Sequence, residues 1–412
     1  MATIPTRAAL EELDRADPLA SFQDEFDLPS DVIYLDGNSL GPLPKATLRR
    51  VADVVAHEWG QSLIRAWNAH DWIGLPLRIG EKLGRIIGAA PDSTLVADST
   101  SINLFKLLAA SLQARPTRHV ILTEAGNFPT DLYMAQGLIT LLRQGHELRE
   151  VADPIAALNE DVAVLMLTHV NYRSGAMHDM ASVTRAAHAV GALTLWDLSH
   201  SAGAVPLRLA KDDVDFAVGC GYKYLNGGPG APAFLSVAPR LQADLRLPLT
   251  GWLGHADPFA FASAYHPAKG IGRAMVGTPP VLSLAALEVG VDLMLRAPMD
   301  ALRAKSQHLI DLFIALVERD CAEYEFRLLT PRDSALRGSQ VAFAHPDGYA
   351  IMQALIERGV IGDFRAPDVL RFGLPPLYLR HTDVWDAAAM LREVMRSGAW
   401  RDARLSQRRT VT

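Results

Sequence analysis

Cysteine is scarce in this chain, with Cys220 and Cys321 the two among 412 residues. They form neither a metal-binding spacing nor a disulfide framework, so no metal is expected and a reducing, cytoplasmic setting is the default. Long apolar runs are missing too. No stretch reaches the roughly 18 apolar residues of a membrane span, and the opening MATIPTRAALEELD carries acids and lacks the apolar core of an export signal. The body of the chain has no basic run and the net charge is −6, which argues against a nucleic-acid surface. Arg401, Arg404, Arg408 and Arg409, near the end, read as a solvated tail. No GxGxxG follows the first strand and no GxxxxGKS/T occurs anywhere, so dinucleotide and P-loop sites lose their support.

What is present is the composition of an ordinary globular protein, 49% hydrophobic and 21% charged, long enough for two or three cores. STLVAD (93–98), HVILTE (119–124), DVAVLMLTHV (161–170), ALTLWD (192–197), DFAVGCG (215–221) and APAFLSV (231–237) are apolar on both faces. Such strands are buried on both sides, as in a mostly parallel sheet covered by helices. Amphipathic stretches lie between them, such as SVTRAAHAVG (182–191), whose glycine suits a helix C-cap. The alternation predicts a doubly wound α/β fold. After about residue 280 two long helices precede shorter strand-like pieces, which suggests a smaller α+β unit. The expected division is an N-terminal segment, 1–45, packing with that unit; a large α/β domain, 46–290; and a small domain, 291–412.

Ligands of open parallel sheets sit beyond the carboxyl ends of the strands. Polar residues gather at those ends: Ser99, Thr100 and Ser101; GNFPTD (126–131); Thr168 and His169; DLSH (197–200); GYKY (221–224). Lys223 stands where water is scarce, and desolvation lowers the pKa of an amine and frees it as a nucleophile. The alternative is a lysine snorkelling from a strand end into solvent. Asp197 closes the apolar LTLW and suits a cationic ring nitrogen, such as that of pyridoxal phosphate (PLP); its alternative is a helix N-cap. Lys223 would then form the Schiff base with the cofactor aldehyde. TSIN (100–103), at a strand-to-helix junction, suits a phosphate at a helix N-terminus, and Phe128 could stack on a flat ring.

These residues carry a resemblance. The chain resembles the fold type I, aminotransferase-like PLP enzymes, and among them the kynureninase family over nearly its full length. The matching stretches are YLDGNSLGPLP (34–44), TSINLF (100–105), NFPTD (127–131), WDLSHSAGAVP (196–206), GCGYKYLNGGPG (219–230), GWLGH (251–255), GTPP (277–280) and LRFGLPPLY (370–378). The resemblance implies a mostly parallel seven-stranded sheet sandwiched by helices, PLP as cofactor, and a homodimer with shared active sites. It implies that Lys223 holds PLP and moves protons at the substrate α-carbon, that Asp197 pairs with the pyridinium, and that His200 lies beside it. Thr100, Ser101, Tyr222, Trp252 and Thr278 would bind phosphate, the last two from the other subunit. Phe128 would stack on the ring, with Pro129 and Thr130 next to it and Asp131 and Thr168 flanking it. Arg371 would take the substrate carboxylate by a bidentate pair, with Asn38 and Gly277 at the substrate. Trp67 is aligned to the substrate ring, in competition with Arg65 and His70.

The implied reaction is hydrolysis of the Cβ–Cγ bond of L-kynurenine, and of its 3-hydroxy form, to the anthranilate and L-alanine, as in tryptophan catabolism and NAD biosynthesis. VGTPP (276–280) leans toward plain kynurenine. Tyr222 is the candidate proton donor to the β-carbon, its neighbours tuning a phenol that normally titrates near 10; its alternative is to anchor phosphate only. An aminotransferase or cysteine desulfurase on the same fold, or a non-catalytic PLP-binding protein, are the rivals. A desulfurase needs an exposed activated cysteine, and a protein that had lost its chemistry would be expected to lack Lys223, Asp197 or Arg371.

Overall fold

A computed structural model of the chain describes residues 4–408. Residues 1–3 and 409–412, Arg409 of the basic tail among them, lie outside that range. The chain begins with helix Arg7–Ala16 and the short strand β1 (Ile33–Tyr34). A large sheet follows, built from β2 (Thr94–Val96), β3 (Val120–Glu124), β4 (Glu147–Val151), β5 (Val162–Thr168), β6 (Leu193–Asp197), β7 (Phe216–Gly219) and β8 (Phe234–Val237). Its order is β2-β8-β7-β6-β5-β3-β4. Every pairing from β4 to β7 is parallel, whereas β8 runs antiparallel to both neighbours.

The sheet is seven-stranded and mostly parallel, as the family resemblance implies. Six of its strands fall inside the apolar runs of the sequence. The seventh, β4, is ELREV: it pairs with β3 alone, and its charged, half-exposed side chains protect an open edge. That composition hides it from a search for buried strands.

Period-2 alternation sends neighbouring residues into two cores. Leu165, Leu167 and Trp196 join the core on one face with Ile79 and Leu284 of the covering helices. Val164, Met166 and Leu195 join the core on the other, with Leu104 and Leu108 of helix Thr100–Ala114. The helix foreseen at 182–191 spans Met180–Ala189, and Gly191 follows it in the left-handed region at φ 78°.

Helices Val281–Arg296 and Met299–Asp320 then lead to a four-stranded sheet of β9 (Arg327–Leu328), β10 (Gln340–Ala344), β12 (Asp363–Arg365) and β13 (Val369–Gly373), ordered β12-β13-β10-β9. Between β10 and β12, β11 (Val360–Ile361) pairs in parallel with β1. The N-terminal residues bond further into this region: Asp14 accepts from the backbone N–H groups of His381 and Thr382, and Arg7 meets Asp386 at 2.9 Å. No helix among the described residues is long and apolar enough to cross a membrane.

Candidate active site

The antiparallel turn from β7 into β8 positions the central lysine. Because the chain reverses at the carboxyl end of β7, residues 220–233 lie there, over the ends of β5 and β6. Lys223 O accepts from Asn226 N at 2.9 Å and Gly221 O from Gly227 N at 2.9 Å, which folds the loop tightly. The N-terminal segment closes on it: Gly41 N donates to Tyr222 O at 2.7 Å, and a Cβ at Gly41 would stand 2.4 Å from Lys223 O. Only glycine allows that approach.

A cavity of about 430 Å³ opens here, and Lys223, Tyr222, Asp197, His200, Thr168 and Phe128 line it. Thr168 ends β5 and Asp197 ends β6, paired in register. Ser99, Thr100 and Ser101 also face the cavity at the N-terminus of helix Thr100–Ala114. Ser99 caps that helix, its hydroxyl accepting from Ile102 N. The sequence therefore brings one amine, one buried carboxylate and one helix N-terminus, a ready anion site, into a single space.

The electrostatics divide the roles. Asp197 Oδ1 accepts from Ser199 N at 2.8 Å and Ser199 Oγ at 2.6 Å. Its other oxygen has no bond from the described residues, so a cationic donor is its natural partner. Burial raises the Asp197 carboxyl from its ordinary range, against the pull of Ser199 and Lys223. Asp131, wholly buried in the first turn of helix Pro129–Leu142, is raised much further by burial and by facing Asp197, so it is held neutral. Its Oδ1 has no partner, and its Oδ2 lies 3.4 Å from Thr168 Oγ1. Thr168 donates to Asn127 Oδ1 at 2.5 Å. Pro129 opens this helix at its first position, where a missing N–H costs nothing, and Thr130 Oγ1 is 3.2 Å from Ser101 Oγ.

Lys223 Nζ donates to His200 Nε2 at 3.0 Å. That tautomer is fixed from behind. Gln340 Nε2 donates to Tyr172 O at 2.9 Å, which turns Gln340 Oε1 toward His200 Nδ1 at 2.8 Å. His200 Nδ1–H must therefore donate, and Nε2 is left to accept. Burial holds the imidazole neutral, with Lys223 and Arg371 adding to the effect. Tyr172 O also accepts from Arg371 Nη1 at 2.6 Å, so a continuous chain of bonds runs from Lys223 to Arg371.

The Tyr222 phenol differs from the tuning the sequence suggested. Burial raises it above the ordinary value, and Cys220 and Asp197 push in the same direction. It is thus held protonated, able to donate but less acidic than a free phenol.

Arg371 is buried on β13, and its Nε and Nη2 both bond Asp363 while Nη2 also reaches Ser39 Oγ at 2.8 Å. The bidentate pair assigned to a substrate is thus made with Asp363; Ser39 takes the second Nη2 N–H and Tyr172 O one Nη1 N–H, so one Nη1 N–H is what remains for a ligand. Asn38 is fully buried nearby, with neither amide atom bonded, and its Oδ1 lies where a Cβ at Gly373 would stand, 2.0 Å away.

Arg371, Asn38, Asp131 and Pro129 do not line the cavity, though Arg371, Asp131 and Pro129 adjoin Tyr172, Thr168 and Phe128, which do; Trp252, Gly277, Thr278 and Trp67 are not brought to it within one chain. Trp252 is 41% exposed and packs edge-on against Phe259, while Gly277 and Thr278 are exposed in the strand-free stretch before Val281. Trp67 meets Trp72 edge-on at 5.6 Å; Arg65 and His70 are tied to the same turn through Gln61 and Ser62. Conversely, Tyr172, Gln340, Ser39 and Asp363 escaped notice in the sequence. Gln340 sits 140 residues from His200, and no local pattern links such partners.

Both cysteines are free and buried. Burial raises the Cys321 thiol to about 12, and Cys220 Sγ points at Ser199 O, 3.9 Å away. Neither is the exposed thiol a desulfurase needs. No cluster of three metal-ligating side chains exists among the described residues.

Comparison with known proteins places this geometry. The family model described as the kynureninase C-terminal domain matches residues 302–391. A curated kynureninase of Burkholderia mallei (strain SAVP1) is 53% identical, covering 99% of this chain and 100% of that protein. A kynureninase of Pseudomonas fluorescens is 51% identical with the same coverage. Among solved structures, a cysteine desulfurase from Thermococcus onnurineus NA1 superposes with a TM-score of 0.77 at 17% identity, covering 92% of this chain and 98% of that one. A C-DES variant with glycine covalently linked to its PLP cofactor gives 0.75 at 18%, covering 90% and 99%. The distant structures share the fold, the fold type I architecture; the close relatives, matched end to end, mean that this chain belongs to the kynureninase family.

Proposed function

We propose that the protein binds PLP and hydrolyses the Cβ–Cγ bond of L-kynurenine, and of 3-hydroxykynurenine, releasing the anthranilate and L-alanine in tryptophan catabolism and NAD biosynthesis. The observation that carries this is the meeting of Lys223, Asp197 and the helix N-terminus at Thr100 in one cavity. The residues fit the cofactor. The unbonded oxygen of Asp197 suits its ring nitrogen, neutral Asp131 avoids a second adjacent charge, and Ser101, Thr100 and the first helical turn suit its phosphate. Phe128, its centroid 6.0 Å from Lys223 Nζ, would offer the cofactor ring a flat face to stack on. When bound, the cofactor supplies an electron sink for charge developing on the substrate.

Lys223 takes the proton from the substrate α-carbon and returns one there. His200, neutral and accepting an N–H from the Lys223 nitrogen, holds the uncharged amine so that its lone pair is free for the cavity. Tyr222, held protonated, donates to the β-carbon once water has added to the γ-carbonyl and the carbon–carbon bond has broken. Arg371 receives the α-carboxylate through the Nη1 N–H that Asp363, Ser39 and Tyr172 leave unbonded.

We further propose a homodimer in which a second copy supplies Trp252 and Thr278. The exposed Trp59, Leu63, Ile64 and Phe261 favour a covered face. The division at residues 45 and 290, and a cytoplasmic location with both thiols reduced, belong to the same proposal.

The direct test is incubation of the protein with PLP and L-kynurenine. Anthranilate fluorescence with equimolar L-alanine is expected, and formation of a keto acid without anthranilate would instead indicate an aminotransferase. With Gly277 and Thr278 small, kcat/KM for kynurenine should exceed that for 3-hydroxykynurenine. In Tyr222→Phe, PLP affinity should persist while steps after carbon–carbon cleavage slow about 10²-fold or more in single turnovers. Weakened PLP affinity with a normal rate at saturating cofactor would make Tyr222 a phosphate anchor.

A further inference from the structure

Behind Arg371 lies a group of charges that the proposed reaction does not use, with Arg371 and Asp363 buried and Asp36 and Arg365 half-buried. Two guanidiniums, Arg371 and Arg365, face two carboxyls, Asp363 and Asp36. Arg365 Nη2 bonds Asp363 at 2.7 Å, Arg371 holds Asp363 by Nε at 2.8 Å and by Nη2, and Ser39 Oγ donates to Asp363 Oδ2 at 2.7 Å. Arg371, Arg365 and Ser39 thus all bond Asp363, and none of them bonds Asp36 Oδ1. Asp36 Oδ1, equally sealed from water, has no partner at all. A buried carboxylate oxygen without a donor is costly, whereas a neutral carboxylic acid tolerates the position.

The surroundings agree. Facing Asp36 are Tyr34 from β1, Asp363 and Arg365 from β12, Arg371 from β13, and the phenols of Tyr224 and Tyr378. Burial and the charge of Asp363 push the Asp36 carboxyl up to about 7, against weaker pulls from Ser39, Arg371 and Arg365. Asp363 goes the other way: despite burial, Arg371 and Arg365 hold it below its ordinary value. Any proton in the pair therefore resides on Asp36.

The charge count then decides what an incoming anion meets. With Asp36 neutral, a ligand carboxylate on Arg371 gives two cations and two anions. With Asp36 ionised it gives three anions against two cations in a largely enclosed space. We propose that Asp36 is a positioning residue that keeps the Arg371 seat electroneutral by carrying a proton, so that binding of the substrate α-carboxylate is coupled to protonation of Asp36. This rests on Arg371 being the carboxylate seat.

The probe is propionate, a carboxylate with no amine to titrate between pH 6 and 9, used as a competitive inhibitor of the PLP-loaded enzyme. Its inhibition constant is expected to rise with pH above neutrality, approaching about tenfold per unit for one coupled proton. In Asp36→Asn, a permanently neutral isostere, that dependence should vanish. Equal pH slopes in the two proteins would overturn the proposal. Arg371→Lys separates the two levels: if it leaves propionate inhibition unweakened, the seat itself is wrong; if it weakens inhibition while Asp36→Asn keeps the wild-type slope, the coupling alone is wrong. Infrared titration of the wild type needs no variant. A carboxylic acid band should fade between pH 6 and 9 and return at pH 8 on adding propionate; a band unchanged by either would overturn the coupling.

Discussion

Lys223→Ala is expected to lower kynurenine turnover by about 10⁴-fold or more and to abolish the visible absorbance that appears when PLP is added to the wild type. The size follows from what the side chain does: a positioned proton-transfer group is worth roughly 10²–10⁴-fold, and this one is also the covalent tether. Unfolding is not expected to confuse the result. The loop is held by main-chain bonds, Asn226 N to Lys223 O and Gly41 N to Tyr222 O, and alanine keeps both. The unfolding free energy from urea titration should therefore stay within about 1 kcal/mol of wild type. Removing the amine leaves His200 Nε2 facing the cavity, where water can reach it. A full chromophore in the variant, stable to gel filtration, would place the cofactor on another amine and remove the central claim.

Loss of Arg371 should have two separable effects. Arg371→Ala leaves Asp363, itself 2% exposed, without its bidentate partner; stranding one member of a buried ion pair costs about 3–5 kcal/mol. Arg365 still reaches Asp363 at 2.7 Å, which puts the expected loss near the lower end. The double variant Arg371→Met with Asp363→Leu removes both charges and should regain most of that stability in urea unfolding. Activity should not return with it. If the arginine receives the substrate carboxylate, kcat/KM stays down by about 100-fold in both variants, the equivalent of about 3 kcal/mol of charge-assisted hydrogen bonding. Recovery of activity in the double variant would make Arg371 a structural residue only.

The sequence alone carried the large sheet and much of the cavity, because both leave local signals. A strand buried on two faces is apolar throughout, so six of seven strands were visible as runs. In a parallel sheet the ends of such runs point to one place, so Thr168, Asp197 and Lys223 could be grouped without coordinates. The edge strand β4 escaped because its charged residues serve solubility rather than burial. β11 and β12 escaped because strands of two and three residues leave no period to detect.

What tertiary structure decided is the state of each group. Whether a carboxyl is charged depends on what faces it, and those neighbours come from distant segments: Asp197 against Asp131, Asp36 against Asp363, His200 against Gln340. Sequence spacing holds no information about such contacts, so it named Asp131 without showing it neutral and Arg371 without showing Asp363 across its fork. It also expected Tyr222 to be tuned, and burial beside Cys220 and Asp197 tunes it upward. The residue types and their order determined the fold and which side chains meet; desolvation and the pairing of charges, which exist only once the chain has closed around them, determined which of those side chains hold a proton.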